Sequence, residues 1–95
     1  MEINEPITEV IFRKFQGEIV ALFPYEIEDR SGHIMSYAHI GQHSGADLGI
    51  IYLSKPASEV EYFDLFIELT NIGYNLKIVK KVNYKRYDQA RKLIK

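Results

Sequence analysis

The side chains best suited to chemistry are concentrated in one stretch of the chain, residues 35–47. It holds two of the three histidines, a tyrosine, a glutamine, two serines and an aspartate, together with two glycines. Imidazole, hydroxyl and carboxylate groups bind metals, exchange protons and form hydrogen bonds to ligands. We therefore take six residues as the candidate recognition site: Tyr37, His39, Gln42, His43, Ser44 and Asp47.

A metal site is one interpretation of this stretch, because His39, His43 and Asp47 recur at intervals of four residues. Two imidazoles and a carboxylate suit zinc or iron. Histidines four apart share one face of a helix, but Gly41 between them disfavours a helix. The three residues are kept as metal candidates, while the leading expectation is a protein without a cofactor.

A hydrolytic site is a second interpretation, with His39 or His43 as general base, Ser44 as nucleophile and Asp47 as the orienting acid. Nucleophilic serines usually occupy a strained elbow turn with a characteristic flanking pattern. The residues around Ser44 lack that pattern. A small metal-assisted or histidine-based enzyme is therefore the alternative, and a binding role is the leading expectation.

Charge is distributed unevenly along the chain. Residues 77–95 hold eight basic residues against Asp88, a balance of +7, so residues 1–76 carry −8 of the total of −1. Such a segment either docks on an acidic face of the same protein or binds an external anion. With Tyr74, Tyr84 and Tyr87 nearby, the external partner would be a nucleic acid. The residues that would contact it are Lys77, Lys80, Lys81, Lys85, Arg86 and Arg91.

The first half of the chain predicts three strands. Alternating apolar residues mark strands at 9–15 and 18–23, and the two-residue connection Gln16-Gly17 predicts a tight antiparallel hairpin. Pro24 should end the second strand, which is apolar enough to be covered on both faces. In the third strand, 33–40, the alternation places Tyr37 and His39 on a half-open face away from the helix layer. Glycines at 41 and 45 should end it.

The second half predicts two helices around a last strand. The segment 48–54 is apolar but too short to assign to helix or strand, and 55–57 should be extended. Ser58 with Glu61 forms a capping box for the main helix, which Gly73 should end. Its apolar stripe is Tyr62, Phe63, Leu65, Phe66, Leu69 and Ile72, and its back is acidic. A strand at 76–82 and a closing helix capped by Asn83 complete the chain.

This order of elements indicates an α+β fold, a small antiparallel sheet in β-β-β-α-β-α order with the main helix packed on one face. The length of 95 residues suits one compact domain, 1–95. There is no cysteine, which suits a reducing compartment such as the cytoplasm. No signal peptide or membrane-spanning segment is expected from the sequence.

The segment Met-Ser-Tyr-Ala-His-Ile-Gly-Gln-His-Ser, residues 35–44, resembles the signature of a family of small uncharacterised proteins from gut bacteria and their mobile elements. The similarity spans nearly the whole chain, through residues 12–15, 20–24, 55–57 and 72–77. It implies a compact single domain with the His-Ile-Gly-Gln-His loop as hallmark, and it implies no activity. Residues 47–53 depart from the family pattern because they are more apolar.

We therefore expect a small cytoplasmic binding or regulatory module, such as an accessory or inhibitor protein of a mobile element. Its recognition surface would be the loop at 37–47, its partner a protein, and its oligomeric state monomer or homodimer. Enzymatic chemistry at the same loop is the alternative, and nucleic-acid binding through the basic C-terminal residues is the third hypothesis.

Overall fold

The computed structural model describes residues 6–38 and 42–93, with the backbone alone for 42–45. These residues form six strands and three helices. In chain order they are β1 (Thr8–Phe15), β2 (Glu18–Ile27), β3 (Ile34–Ala38), β4 (Gln42–Ala46), α1 (Ile50–Leu53), β5 (Lys55–Pro56), α2 (Glu59–Ile72), β6 (Leu76–Ile78) and α3 (Tyr84–Lys92).

The strands form one sheet in the order β4-β3-β2-β1-β5, with every neighbouring pair antiparallel. β6 also pairs with β1, in parallel. The α+β class is therefore confirmed. The predicted hairpin of β1 and β2 is confirmed as well: its turn residues Gln16 and Gly17 both have positive φ, 52° and 81°, as a tight hairpin turn that matches the strand twist requires.

The second strand is longer than expected. β2 continues past Pro24 to Ile27, so the prediction that Pro24 ends the strand is wrong. Proline cannot donate a ladder hydrogen bond, and the pairing register with β3 accordingly shifts between Phe23 and Ile27 before Ile27 pairs with Ile34. Such an irregularity lets a strand accommodate a proline and continue.

Helix α2 covers one face of the sheet. Alternate positions of β1, β2 and β3, including Val10, Phe23 and Tyr37, form a buried cluster with Leu65 and Leu69 of α2. The ring of Phe12 stacks on that of Tyr62 with centroids 4.5 Å apart. This layer is the helix-on-sheet packing that the sequence predicts.

The opposite face is covered too, by α3 and the residues around α1. Ile11, Leu22 and Ile34 are buried there against Tyr87 of α3. The Tyr87 hydroxyl donates a hydrogen bond of 2.6 Å to the carbonyl oxygen of Gly32, which anchors α3 to the turn between β2 and β3. β2 is thus covered on both faces, as its apolar sequence predicts.

Helix α2 begins and ends where its sequence indicates. The capping box is formed, because the Ser58 hydroxyl accepts from the Glu61 N–H and the Glu61 carboxylate accepts from the Ser58 N–H. Gly73 ends the helix with φ of 125°. Two members of the predicted apolar stripe are misplaced, since Phe63 and Ile72 are more than half exposed. The buried seam is narrower than expected, and these two residues lie outside it.

The unassigned segment 48–54 contains a single helical turn, α1. Asp47 starts the turn by accepting the Ile50 N–H at its carbonyl oxygen, 3.0 Å away. The Arg13 guanidinium of β1 holds the other end, donating to the carbonyl oxygen of Ile51 at 2.8 Å and to the Ser54 hydroxyl at 2.9 Å. A cation at a helix C-terminus satisfies carbonyl groups that have no partner within the helix.

The last strand is shorter than the predicted 76–82. β6 ends at Ile78, and Val79 then donates one more hydrogen bond, of 2.9 Å, to the carbonyl oxygen of Val10. Val79 and Val82 pack on the cluster around Tyr87, so the chain leaves the sheet to reach the face that α3 covers. Asn83 caps α3 as predicted, its side chain accepting from the Arg86 N–H. In the described ranges, no helix is long and apolar enough to cross a membrane.

Candidate functional site

The polar stretch singled out in the sequence forms a hairpin at one end of the sheet. Tyr37 and Ala38 close β3, and Gln42 opens β4 as the partner of Ala38. His43 pairs with Tyr37, and the register runs on to Ala46 opposite Ile34. The prediction that glycine at 45 ends the strand is therefore wrong, because position 45 lies within β4 opposite Met35. His39 lies outside the described residues.

Tyr37 is a core residue and not part of a half-open face. Its side chain is 3% exposed, packs in the cluster beneath α2, and donates a hydrogen bond from its hydroxyl to the Glu68 carboxylate. That hydrogen bond is the main reason why the pKa of Tyr37 is raised. The expectation of an open face at Tyr37 is wrong because α2 covers the face on which it stands.

Asp47 has a structural role at the end of the hairpin. Its Oδ1 accepts the backbone N–H of Gly49 at 2.7 Å, which fixes the turn into α1. Within the described residues, no three His, Asp or Glu side chains lie close enough together to hold a metal ion. The proposed ligands His39 and His43 have side chains outside the described part, so their role as ligands stays a prediction.

The backbone at Ser44 does not have the form that a nucleophilic serine usually takes. Ser44 lies in the middle of β4, directly opposite Ser36 of β3. An elbow turn between a strand and a helix is what exposes a nucleophile in hydrolases of the Gly-x-Ser-x-Gly kind. A regular strand position provides no such turn.

The two ends of the sheet differ in how well they are protected. The end formed by β5 and β6 carries Lys55, Pro56 and Lys77, residue types that discourage further strand pairing. At the other end, β4 pairs with β3 alone within the described part of the chain, in a continuous register. Its sequence, Gln-His-Ser-Gly-Ala, has no charged Lys, Arg, Asp or Glu and no proline. Among the described strands, β4 is therefore an edge strand whose sequence lacks the residue types that usually protect an edge.

The basic C-terminal residues lie on the opposite side of the sheet from α2. The acidic back of α2, one candidate for internal docking of this segment, is not in contact with α3, because α3 packs on the face that α2 does not cover. The exposed basic residues of this segment are Lys77, Lys80, Lys81, Lys85, Arg86, Arg91 and Lys92. The sheet separates these cations from the carboxylates of α2.

Arg86 differs from the other cations because it has partners within the protein. Its guanidinium forms an ion pair with Glu9 of β1 and lies 4.1 Å from the centroid of the Tyr25 ring. The Tyr25 hydroxyl in turn accepts the Asn83 N–H at 2.8 Å, next to the start of α3. These contacts line a shallow cleft with Thr8. Arg86 therefore holds α3 against the sheet and is a poor candidate for a phosphate contact.

The contact between the exposed Tyr52 and Tyr84 is a feature that sequence reasoning missed. The hydroxyls of Tyr52 in α1 and Tyr84 in α3 share a hydrogen bond of 2.5 Å, which raises the pKa of Tyr84. Tyr84 is followed by Lys85, which is exposed as well. Tyr52 lies in the segment 48–54, which could not be assigned to helix or strand from the sequence. An aromatic residue within a short apolar run was the one sequence feature that could have indicated this contact.

No family model, curated protein or solved structure matches this chain. The resemblance to small proteins of gut bacteria and mobile elements therefore stays a prediction. The geometry of the described residues carries the functional argument.

Proposed function

We propose that this protein is a protein-binding module that accepts an extended segment of a partner at the open edge of β4. The observation that carries the proposal is the contrast between the two ends of the sheet. One end has lysines and a proline, and the other ends in a regular strand, β4, whose sequence has neither. An open strand edge offers a row of N–H and C=O groups as a template for another strand.

Backbone pairing would supply the affinity, and the side chains of the hairpin would supply selectivity. In strand addition, main-chain hydrogen bonds hold the peptide while neighbouring side chains read alternate residues. His39, Gln42, His43 and Ser44 are our candidates for that reading. Tyr37 instead supports β3 from the core through its bond to Glu68.

The proposal also includes a cellular compartment and a biological role. We place the module in the cytoplasm, because a chain without cysteine suits a reducing compartment. A small domain that occupies one strand of a partner is suited to an accessory or inhibitory role, including in a mobile element. A partner polypeptide is the proposed occupant, and a second copy paired through β4 is the competing outcome.

Consecutive proline substitutions in β4 test the proposal. In an antiparallel ladder, successive residues of a strand direct their N–H groups alternately towards its two neighbours. Of His43→Pro and Ser44→Pro, one removes a backbone hydrogen bond between β4 and β3, so this variant should be less stable and have a lower urea midpoint. The other removes an outward N–H, so it should keep the fold and lose the partner. His43→Ala and Ser44→Ala are the matched side-chain controls.

The readout is affinity capture from the source cells, followed by binding measurements with the purified partner. We expect the partner to be lost with the outward proline and only weakened by the alanine substitutions. Retention of every partner by a folded outward-proline variant, with unchanged affinity, would refute strand addition. Wild-type dimers that dissociate in the same variant would identify a second copy as the occupant.

Nucleic-acid binding is the second candidate, and the position of α3 favours it. The segment that holds the exposed cations includes α3, which packs on the sheet face away from α2. Tyr84 of α3 and its partner Tyr52 are exposed too. Phosphate neutralisation combined with stacking is the usual mode for single strands. This separation keeps the four carboxylates of α2 away from these cations.

Salt dependence tests this candidate. Binding of a fluorescent single-stranded oligonucleotide should weaken as salt rises, with a log–log slope of about −0.7 for each phosphate contact. Lys81→Gln/Lys85→Gln should lower the slope. Lys14→Gln should leave it unchanged, because the Lys14 side chain pairs with Glu61 of α2 on the other face of the sheet. Affinity that does not change with salt would contradict the mechanism.

A further inference from the structure

The outer face of α2 carries an apolar stripe that the fold leaves open. Val60, Phe63 and Ile67 are 90%, 54% and 41% exposed. They recur at i, i+3 and i+7, so they share one side of the helix. Leu65 and Leu69, which are buried against the sheet, lie on the opposite side. Helix α2 is therefore apolar on two faces, a pattern that is typical of a helix covered on both.

The same helix carries only negative charge. Its sequence, Glu-Val-Glu-Tyr-Phe-Asp-Leu-Phe-Ile-Glu-Leu-Thr-Asn-Ile, has four acidic residues and no lysine or arginine. Glu61 pairs with Lys14, and Glu68 accepts from Tyr37. Glu59 and Asp64 are exposed, and Asp64 lies four residues after Val60 on the side of the stripe. The open stripe is thus bordered by carboxylates.

We propose that this stripe docks a lysine- or arginine-rich amphipathic helix of a partner protein. The spacing of the three apolar residues matches the anchors of a helix that lies along another helix, over about 10 Å. The carboxylates favour a cationic partner, whose long side chains also cover apolar surface with their methylene groups. This surface lies on a face of the sheet and is separate from the open edge of β4.

The charge pattern argues against the other occupants of such a stripe. A second copy docked through α2 would bring Glu59 and Asp64 against the same carboxylates, and like charges at an interface oppose association. An anionic membrane surface would repel the helix for the same reason. A cationic amphipathic helix is complementary to both features, because its apolar residues can pack on the stripe and its basic residues can pair with the carboxylates beside it.

A model peptide tests the proposal. The probe is a 14-residue fluorescent peptide of leucine and lysine arranged as an amphipathic helix, followed by anisotropy. The comparison peptides are a scrambled sequence of the same composition and an amphipathic leucine–glutamate peptide. We expect the wild-type protein to bind the amphipathic cationic peptide at least tenfold more tightly than either comparison peptide. Equal affinity for the scrambled peptide would overturn the proposal, because attraction between charges alone would then explain binding.

Matched variants locate the binding. Phe63→Ser/Ile67→Ser should weaken binding at least tenfold, while Leu53→Ser/Leu93→Ser, which changes two exposed leucines elsewhere, should not. Equal effects of the two pairs would overturn the proposal.

Charge reversals test the acidic border. Glu59→Lys/Asp64→Lys should weaken binding, and Glu18→Lys/Glu28→Lys, on exposed acids outside α2, should weaken it much less. All these positions are exposed, but Glu59 lies in the first turn of α2, so Glu59→Lys should lower the urea midpoint slightly while the variant stays folded. Self-association of the wild type that Phe63→Ser abolishes would overturn the proposal in favour of a second copy.

Discussion

The substitution Gly32→Ala is a direct test of how α3 is anchored to the sheet. Gly32 lies in the turn between β2 and β3 with φ of +88°, a region that side chains with a Cβ rarely adopt. A Cβ at this position would lie 2.4 Å from the Tyr87 hydroxyl oxygen, the group that donates to the Gly32 carbonyl. The new methyl group would therefore be strained by its backbone and would also displace Tyr87.

The expected cost has two parts that can be separated. The positive φ costs about 1–2 kcal/mol for a residue with a Cβ. Displacing Tyr87 loses its hydrogen bond, about 1 kcal/mol. Gly32→Ala should thus lower the free energy of unfolding by about 2–3 kcal/mol. Gly17→Ala provides the matched control, because Gly17 has φ of +81° and nothing within 4 Å of the added Cβ.

The assay is urea denaturation of the single and double variants. Gly17→Ala should show the backbone cost alone, and Gly32→Ala should exceed it by about 1 kcal/mol. In the background of Tyr87→Phe, which lacks the obstructing hydroxyl, the costs of the two alanine substitutions should move closer together. What remains against the new methyl group is then the flexible side chain of Arg91, whose Nε would lie 3.1 Å away. If Gly32→Ala costs no more than Gly17→Ala in the wild-type background, Tyr87 does not hold α3 against this turn.

Three further predictions concern α2 and its contacts. Hydrogen bonds from the Ser58 N–H and from Lys14 lower the pKa of Glu61 to about 2. The stability that this carboxylate contributes is therefore present above pH 4.5 and is lost as the pH falls towards 2. Glu61→Gln should flatten that part of a plot of urea midpoint against pH. The pKa of Tyr37 is raised, so the stability that its hydroxyl contributes is present below pH 10 and is lost as the pH rises further. Tyr37→Phe should abolish this alkaline loss of stability. An equal loss in the wild type and in Tyr37→Phe would contradict the hydrogen bond to Glu68. Leu69→Ala should cost about 2–5 kcal/mol in urea denaturation, because Leu69 is fully buried between α2 and the sheet.

Local signals in the sequence predicted the elements whose ends depend on a few neighbouring residues. The hairpin at Gln16-Gly17, the capping box of Ser58 and Glu61, and the stop at Gly73 all require particular backbone angles or side-chain acceptors within a few positions. Only a few residue types meet these requirements, so the sequence alone reveals them. The class of fold followed from their order along the chain.

The elements that sequence reasoning misplaced depend on distant contacts. Tyr37 is buried because α2 packs over it, with Glu68 of that helix, 31 residues away, accepting its hydroxyl. The alternation within β3 does not reveal which face the helix covers. Strand β4 lacks alternating apolar residues, so its existence depends on pairing with β3. The second helical layer depends on Tyr87 reaching Gly32, 55 residues away. None of these contacts leaves a local pattern.

The most direct test of strand addition at β4 is residue-resolved amide hydrogen exchange, measured for the protein alone and in complex with the partner captured from its source cells. Our account predicts that alternate amides of residues 42–46 exchange quickly in the free protein and become protected in the complex. A complex in which these amides exchange as they do in the free protein, with protection only elsewhere, would contradict it.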